Sequence, residues 1–387
     1  MTLPASVSDF RALARQRLPN FLFGFLDGGS LSETTLRANE QAWRRHGLRQ
    51  HVLRDVAHTQ TETTLLGHNW TMPLALSPVG LGGMMRRRGE VQAALAAQAA
   101  GVPFTLCTPA LCSIEEVRAA TQAPFWFQLY MLRDRGIVRE LLARAKAAQC
   151  SALIFTIDLA SVGIRYSDVR HGLTTQATPD STARRLWDVL SHRQWLADVP
   201  LKGGPMVFGN LAEYVPKARK LEDFKAWVDA QFDPSVTWKD IEWLRKEWDG
   251  PILLKGILEP ADAERAAQVG AQGIVVSNHG GRQLDGAMAT ADALPRIAEQ
   301  VAGRMAILVD GGIRYGHDII KARALGADAV MIGRAWAYAL AADGQNGVRQ
   351  VLQNFENELR NSLGLMGLSH IQDIDRDALI ELAPNSF

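Results

Sequence analysis

Short apolar segments that alternate with stretches of helical spacing constrain the fold of this chain most. We identify eight such segments, at residues 73–77, 103–106, 125–129, 152–157, 251–254, 273–276, 306–309 and 328–332. Several lack in-out alternation, which is typical of parallel strands covered on both faces. The glycine fingerprint of an open dinucleotide-binding sheet is missing, because Met85 stands where the last glycine of Gly80-Leu-Gly82-Gly83-Met-Met85 belongs. The pattern therefore predicts an α/β protein with a closed (β/α)8, or TIM-barrel, fold.

Particular residues mark the helix boundaries between these segments. Ser113 and Glu116 have the spacing of a capping box, in which hydroxyl and carboxylate each satisfy an orphan backbone amide. Pro260 suits a first helical turn, and Gly270 and Gly326 suit the position just after a helix end. The predicted unit is a helix followed by a buried strand.

Two intervals interrupt the repeat. Residues 1–72 indicate a helical extension with a hairpin near residues 61–70, before the first barrel strand. The stretch between Ile157 and Pro251 is far longer than one crossover needs and forms an insertion after strand four. We expect a single barrel over residues 1–387, in which residues 178–220 form an insertion loop, acting as a lid or partner surface at the catalytic mouth.

Composition excludes several classes of protein. Lys and Arg number 42 against 41 Asp and Glu, so no overall field favours nucleic acid. The three cysteines, Cys107, Cys112 and Cys150, form no C-x-x-C pair and fit a reducing compartment better than a disulfide framework or a zinc site. No signal peptide and no uninterrupted apolar run of about 18 residues is visible. We expect a cytoplasmic protein without a membrane span.

Polar residues and glycines follow the predicted strands, at the end where barrel enzymes place their chemistry. Each alone is compatible with an ordinary strand end, but together they indicate one polar mouth. In chain order they are Ser77, Pro78, Val79, Gly80, Cys107, Thr108, Gln128, Tyr130, Thr156, Asp158, Lys255, Ser277, Asn278, His279, Asp310, Gly311, Gly312, Gly333 and Arg334.

The last two strands end in residues that suit a phosphate. Gly311 and Gly312 allow backbone amides to approach phosphate oxygens, and Arg334 after Gly333 adds a charge-assisted contact. Tight turns are the alternative interpretation. Lys255 ends an apolar run and is expected deep in the mouth, where a cation can stabilise negative charge on a bound heterocycle.

Residues 277–283, Ser-Asn-His-Gly-Gly-Arg-Gln, are the sharpest functional signal. His279 is a natural proton acceptor near neutral pH, and Arg282 on the same glycine-rich turn can hold a carboxylate. Arg165 can supply a second guanidinium, and Asp158 can orient the imidazole. This set suits a 2-hydroxy acid as substrate. We expect no metal, because no second ligand stands at ligand spacing to His279.

With these motifs the sequence resembles the FMN-dependent L-2-hydroxy acid oxidase and dehydrogenase family, over nearly the whole chain. The active-site signature matches residues 277–283. Further similarity, closest to the bacterial quinone-linked L-lactate dehydrogenase branch, lies in residues 126–130, 132–136, 255–258, 273–286 and 333–335. The resemblance implies oxidation of an L-2-hydroxy acid, L-lactate first, to a 2-oxo acid, with electrons passing to FMN and then to an acceptor.

The resemblance also implies roles for individual residues. His279 is the base, while Arg282, Arg165 and Tyr130 hold the substrate. The flavin is lined by Pro78, Val79, Gly80, Gln128, Thr156, Lys255 and Ser277, and its phosphate is taken by Asp310, Gly311, Gly312, Arg314, Gly333 and Arg334.

Two positions depart from the family pattern. Phe25 replaces a tyrosine that bonds the substrate carboxylate, and Cys107 replaces a flavin-contacting serine. A lost hydrogen bond to a charged group costs about 1.5 to 3 kcal/mol. We therefore hypothesise that Phe25 weakens lactate binding or suits the pocket to a bulkier, more apolar hydroxy acid such as mandelate.

The electron acceptor and the location are further expectations. Glycine at position 80 is typical of the family's dehydrogenases, which favours quinone over oxygen. The insertion mixes basic residues with apolar ones, which suits a surface resting on anionic lipid at the inner face of the cell membrane. The apolar residues in question are Trp187, Leu190, Trp195, Leu196, Phe208 and Tyr214. The resemblance also implies a homotetramer.

Three alternatives stay open. The first is an oxidase that uses oxygen and releases peroxide. The second is a barrel that binds FMN or another phosphate ligand for isomerisation or nucleotide chemistry, which leaves the trio Arg165, Arg282 and His279 unexplained. The third is a non-catalytic sensor or scaffold that kept the fold.

Overall fold

The computed structural model describes residues 3–171, 179–203, 206–215, 227 and 230–382. The strands, in chain order, are β1 His46–Leu48, β2 Thr63–Leu65, β3 His68–Trp70, β4 Leu74–Leu76, β5 Thr105–Cys107, β6 Trp126–Leu129, β7 Ala152–Thr156, β8 Ile252–Ile257, β9 Gly273–Val276, β10 Ala306–Val309, β11 Ala329–Ile332 and β12 Leu379–Glu381. The helices are α1 Val7–Arg17, α2 Asn20–Asp27, α3 Thr34–Arg44, α4 Gly82–Met85, α5 Gly89–Ala99, α6 Ile114–Ala120, α7 Arg135–Ala147, α8 Tyr166–Arg170, α9 Pro179–Ser191, α10 Arg193–Asp198, α11 Trp238–Glu247, α12 Pro260–Gln268, α13 Thr290–Val301, α14 Gly316–Ala324 and α15 Arg334–Met366.

Strands β4 to β11 form one parallel sheet that closes on itself. Neighbours follow the order β4-β11-β10-β9-β8-β7-β6-β5, and every pair is parallel. The ring closes between β4 and the segment leading into β5, where Leu76 bridges Phe104 and its amide donates to the carbonyl of Pro103 at 2.8 Å. Each of the eight apolar segments overlaps one of these strands, although β5 and β8 continue past the predicted ends to Cys107 and Ile257, so the predicted (β/α)8 barrel is confirmed.

The barrel interior is packed at its amino-terminal end. Trp70, from the β2–β3 hairpin, contacts Trp126 at the start of β6 with ring centroids 5.5 Å apart. Both belong to an apolar cluster with Ile154, Leu253 and other strand residues. Because the hairpin closes this end, a ligand can enter the barrel only at the carboxyl ends of the strands.

The predicted helix boundaries are present. Ser113 and Glu116 form the capping box of α6, and Pro260 is the first residue of α12. Gly270 and Gly326 have φ values of 75° and 103°, in the region that disfavours a side chain.

The extension before the barrel holds the predicted helices and hairpin. Helix α1 packs against the long α15, and β1 pairs with β12, so the extension is attached to the carboxyl-terminal part of the chain. Trp43 of α3 is 1% exposed and belongs to the main core. Residues 20–44 therefore form a fixed wall beside the mouth of the barrel.

The insertion is divided between core and surface. Trp195 and Phe208 are only 2% and 4% exposed, and the Trp195 indole donates to the carbonyl of Met84 at 2.6 Å. The expectation of a lipid-facing surface is therefore wrong for these two, because they pack on the barrel. Trp187 and Leu190, in contrast, are 75% and 48% exposed. Residues 178, 204–205 and 216–220 of the predicted loop lie outside the described residues.

In the described ranges, none of the helices is both long enough and apolar enough to span a bilayer.

Candidate active site

A cavity of about 250 Å³ opens at the carboxyl ends of the barrel strands. Most of the predicted site residues line it. They are Phe25, Pro78, Val79, Gly80, Cys107, Tyr130, Thr156, Arg165, Lys255, His279, Arg282, Asp310, Gly311, Gly312, Arg314, Gly333 and Arg334. Strand register explains this convergence, since Cys107 lies opposite Gln128 and Thr156 lies opposite Lys255 in neighbouring strands.

His279 lies between a buried carboxylate and a phenol. Its Nδ1 is 2.8 Å from Oδ1 of Asp158, and its Nε2 is 3.5 Å from the hydroxyl of Tyr130. Burial acts to raise the pKa of Asp158, but the charge and hydrogen bond of His279 outweigh it, so this pKa lies below its ordinary value. A carboxylate on Nδ1 fixes the ring and leaves Nε2 facing the cavity, as a general base requires.

Two guanidinium groups lie beside the ring of Phe25. The Cζ atoms of Arg282 and Arg165 are 4.8 Å and 5.7 Å from its centroid. Arg165 is paired with Asp168 at 2.7 Å, and its side chain is 11% exposed. Burial first, and then the charge of Arg165, lower the pKa of Arg282 well below its ordinary value. This pair of half-buried cations is a ready site for a carboxylate, which would offset their repulsion.

Lys255 is 3% exposed at the bottom of the cavity. Its Nζ lies 3.1 Å from a carboxylate oxygen of Asp310 and donates to the hydroxyl of Ser277 at 2.8 Å. Burial acts to lower the pKa of Lys255, but Asp310 and then Asp158 outweigh it and raise this pKa. The ammonium therefore stays charged where a heterocycle would develop negative charge on reduction.

The glycine turn after β10 and the start of α15 form the opposite wall. Gly311 and Gly312 have φ values of 90° and 83°, and a Cβ on Gly312 would lie 2.3 Å from the carbonyl oxygen of Asn39. Arg334 donates to the carbonyls of Gly280 and Gly28 at 2.9 and 2.8 Å. Only glycine fits this turn, whose backbone approaches the cavity closely.

Three predicted residues lie just behind the lining. Gln128 is fully buried and donates to the hydroxyl of Thr156 at 3.0 Å. Ser277 accepts from the backbone amide of His279 at 3.0 Å. With Asp158, these side chains orient residues that face the cavity.

Several lining residues were missed by the sequence reasoning. Leu159, Val162, Phe208 and Phe232 add apolar surface near the mouth, and the ring of Phe232 packs edge-on against Tyr130. They lie in the irregular insertion or its flanks, where no periodicity indicates which side chains turn inward. The insertion thus contributes directly to the cavity wall.

Comparisons with known proteins identify the family of the chain. The model of the FMN-dependent dehydrogenase family matches residues 14–381. The chain belongs to this family. It is 50% identical over 378 residues to an L-lactate dehydrogenase of Acinetobacter baylyi, which covers 98% of each chain.

Two solved structures are similar to nearly the whole chain. The monotopic membrane protein (S)-mandelate dehydrogenase has a TM-score of 0.92 at 32% identity and covers 98% of this chain and 100% of its own. A mandelate oxidase with (S)-4-hydroxymandelic acid has a TM-score of 0.83 at 39% identity, over 97% and 98% of the two chains. The predictions of an FMN-dependent dehydrogenase and of FMN as cofactor are confirmed.

The cavity fits FMN in its chemistry. In the described part of the chain, three buried atoms of lining residues have no hydrogen-bond partner: Oγ of Ser77, Oδ1 of Asp310 and Nε of Arg334. These donors and acceptors suit a polar ligand, and the cations of Lys255 and Arg334 suit an anionic one. We therefore expect the ring near Lys255 and the phosphate at the glycine turn.

Proposed function

We propose that this FMN-dependent dehydrogenase oxidises L-2-hydroxy acids, L-lactate first among them, to 2-oxo acids. The observation that carries the proposal is that the imidazole of His279 and the half-buried guanidinium groups of Arg165 and Arg282 line the same cavity. A 2-hydroxy acid offers a carboxylate for the two cations and, one bond away, a carbon and a hydroxyl for the base.

Arg165 and Arg282 bind and orient the substrate. Arg282 donates one Nη to the carbonyls of Phe25 and Gly28 at 2.6 and 3.0 Å, which fixes the guanidinium plane. Asp168 does the same for Arg165. Because both groups are held before the substrate arrives, little side-chain entropy is lost on binding.

His279 moves the proton. Nε2 accepts a proton from the substrate, and Asp158 stabilises the resulting imidazolium through Nδ1. The hydroxyl of Tyr130 is a second donor to the substrate, and burial first, then the charge of Asp158, raise its pKa well above the ordinary value, so it stays protonated. When bound, FMN would be the oxidant that takes up the two electrons of the substrate.

Phe25 supports a second proposal, about substrate preference. Its ring presents carbon where a phenol would have offered a hydrogen bond to the substrate carboxylate, and Leu159, Val162 and Phe232 extend the apolar lining. We propose that side chains bulkier than the methyl of lactate are accepted. The similarity to mandelate-oxidising relatives supports this direction.

We propose that the protein rests peripherally on a membrane and passes electrons to quinone. Trp187, Leu186 and Leu190 of α9 are 75%, 58% and 48% exposed, and Arg184 and Arg193 are exposed nearby. Exposed apolar side chains flanked by cations favour an anionic lipid surface. The similarity to a monotopic membrane protein supports this placement.

Quinone and the homotetramer rest on the family resemblance. An aerobic assay distinguishes the acceptors, because an oxygen-using oxidase releases one peroxide per substrate and a quinone-linked dehydrogenase does not. Light scattering of the purified protein measures the subunit number, for which we expect four.

Anaerobic addition of L-lactate, L-mandelate and a long-chain L-2-hydroxy acid to the yellow protein tests the main proposal. We expect loss of the flavin absorbance with at least one of them. A protein that binds FMN but stays yellow with the whole panel would be a sensor or a barrel of another reaction class.

A further inference from the structure

A buried pair of amides joins the amino-terminal extension to the catalytic turn. Asn39 of α3 and Asn278 are 1% and 4% exposed. Nδ2 of each donates to Oδ1 of the other, and both distances are 2.8 Å. Asn278 immediately precedes His279, so this pair connects an element outside the barrel to the base.

Both amide oxygens accept a second hydrogen bond. Oδ1 of Asn278 accepts from the backbone amide of Gly281 at 3.1 Å, and Oδ1 of Asn39 accepts from that of Thr290 at 3.2 Å. Nδ2 of Asn278 also donates to the carbonyl of Met288 at 3.0 Å. A buried network satisfied to this degree holds one arrangement, because breaking any bond leaves a desolvated polar group.

The turn that this network holds is conformationally costly. His279, Gly280 and Gly281 have φ values of 59°, 64° and 72°. Glycine adopts such values freely, but a histidine there is strained and persists only where its surroundings impose the conformation. The Asn39–Asn278 pair holds the turn at both ends. Asn278 directly precedes His279, and its Oδ1 accepts the hydrogen bond from the backbone amide of Gly281.

Asn39 also packs behind the glycine turn Gly311-Gly312, the predicted phosphate cradle. Its carbonyl oxygen would lie 2.3 Å from a Cβ on Gly312, and its Nδ2 would lie 3.2 Å from one on Gly311. The same helix contacts the cradle twice more, through the Trp43 indole donating to the carbonyl of Gly311 at 2.8 Å and through Glu40 paired with Arg314 at 2.7 Å.

We propose that Asn39 is a positioning residue that aligns the base turn and the phosphate cradle with each other. Through Asn278 it keeps Nε2 of His279 directed at the substrate, and through its packing it sets the glycine turn that receives the FMN phosphate. This inference rests on the proposed function and gives α3 a part in it: substrate chemistry and cofactor binding depend on one side chain from outside the barrel.

Four variants test the inference: Asn39→Leu, Asn39→Asp, Asn278→Leu and the double variant Asn39→Leu/Asn278→Leu. For Asn39→Leu we expect kcat to fall about 10- to 100-fold with KM changed less than about threefold, because a misplaced base slows the chemistry more than carboxylate binding. The Kd for FMN, measured by quenching of flavin fluorescence, should rise about fivefold or more. Asn278→Leu should lower kcat and leave the Kd for FMN near that of wild type.

The two losses in kcat should not add in the double variant, because both substitutions break the same pair. Asn39→Asp keeps the size of the side chain and the acceptor for Thr290 but not the donor to Asn278, so it should lose kcat with less change in packing than Asn39→Leu. Val351→Ala, fully buried in α15, is the control for a general loss of stability and should leave kcat and the Kd for FMN within about twofold.

Wild-type values of kcat and of the Kd for FMN in Asn39→Asp, or additive losses in the double variant, would overturn the inference. So would equal effects of Val351→Ala. If the wild-type protein binds FMN but is not reduced by any hydroxy acid, the proposed function fails instead, while the Kd comparison still tests the link to the cradle.

Discussion

Asp158 and His279 form a hydrogen-bonded pair: the two residues are 121 positions apart in the chain, yet Oδ1 of Asp158 and Nδ1 of His279 are 2.8 Å apart. The carboxylate follows β7, whereas the imidazole follows β9. Both strands end at the same rim of the barrel, with β8 between them. The closed sheet therefore builds the pair, and the pair fixes which imidazole nitrogen faces the cavity.

Replacing the carboxylate of this pair should slow the chemistry and spare binding. In Asp158→Asn the imidazole loses its charged partner, so we expect kcat to fall about 100-fold or more and KM to change only a few-fold. Steady-state kinetics with L-lactate measures both. Asp249→Asn, which removes an exposed carboxylate paired with Lys146, is the control. A kcat within twofold of wild type in Asp158→Asn would contradict the assigned role.

Phe25→Tyr should change substrate preference. The added hydroxyl can donate to the substrate carboxylate beside Arg165 and Arg282, and such a bond is worth about 1.5 to 3 kcal/mol. That gain is common to all 2-hydroxy acids, but the hydroxyl also makes this wall of the pocket polar, which disfavours large apolar side chains. We therefore expect kcat/KM for L-lactate to rise about tenfold or more relative to L-mandelate and long-chain 2-hydroxy acids. Unchanged ratios across the three substrates would show that Phe25 does not set the preference.

The sequence was sufficient to predict the barrel and most of the residues that line its mouth. The period and length of the apolar segments identify the strands. In a closed parallel barrel the carboxyl ends of all strands meet at one rim. For this reason Thr156, Lys255 and Arg334, which are distant in the chain, could be assigned to a single site.

The contributions of the extension and the insertion could not be predicted in the same way. Asn39 occupies a helix whose spacing shows only that one face is buried, not that its amide meets Asn278. Trp195 and Trp187 have similar sequence surroundings, yet one packs on the barrel and the other is exposed. Such differences depend on tertiary contacts between distant segments, which local patterns do not contain.

The exposed face of α9 should govern membrane attachment. We expect Trp187→Ser/Leu190→Ser to bind vesicles containing phosphatidylglycerol about tenfold more weakly or worse, because the apolar area available to the lipid is reduced. Cosedimentation measures the bound fraction. The control is Val52→Ser/Leu53→Ser, which removes two apolar side chains outside the insertion that are 71% and 103% exposed. Equal binding of the two double variants would contradict the proposed surface.

An ion pair on the barrel exterior should contribute a pH-dependent part of stability. The hydrogen bond from Arg144 lowers the pKa of Glu115 to about 2, and Arg144 also donates to the carbonyl of Asn210 in the insertion at 2.9 Å. Because the pKa is lower in the folded state, the stabilisation is complete above the unfolded pKa of about 4.3 and is lost as pH falls towards 2.

Glu115→Gln should therefore lower the free energy of unfolding at pH 7 by up to about 1 kcal/mol, since half-exposed pairs are weak. The difference from wild type should shrink between pH 4.5 and pH 2.5. Urea unfolding at several pH values measures it. A difference that grows as the pH falls would show that Arg144 does not stabilise the charged form of Glu115.

The central claim is that His279 is the base. It is tested most directly by comparing wild type with His279→Gln in the rate at which an L-2-hydroxy acid bleaches the bound flavin in the absence of oxygen. We predict that wild type is bleached by the L-isomer and that His279→Gln, with FMN still bound, is bleached about 100- to 10,000-fold more slowly. Bleaching of His279→Gln at the wild-type rate would show that the imidazole between Asp158 and Tyr130 is not the base.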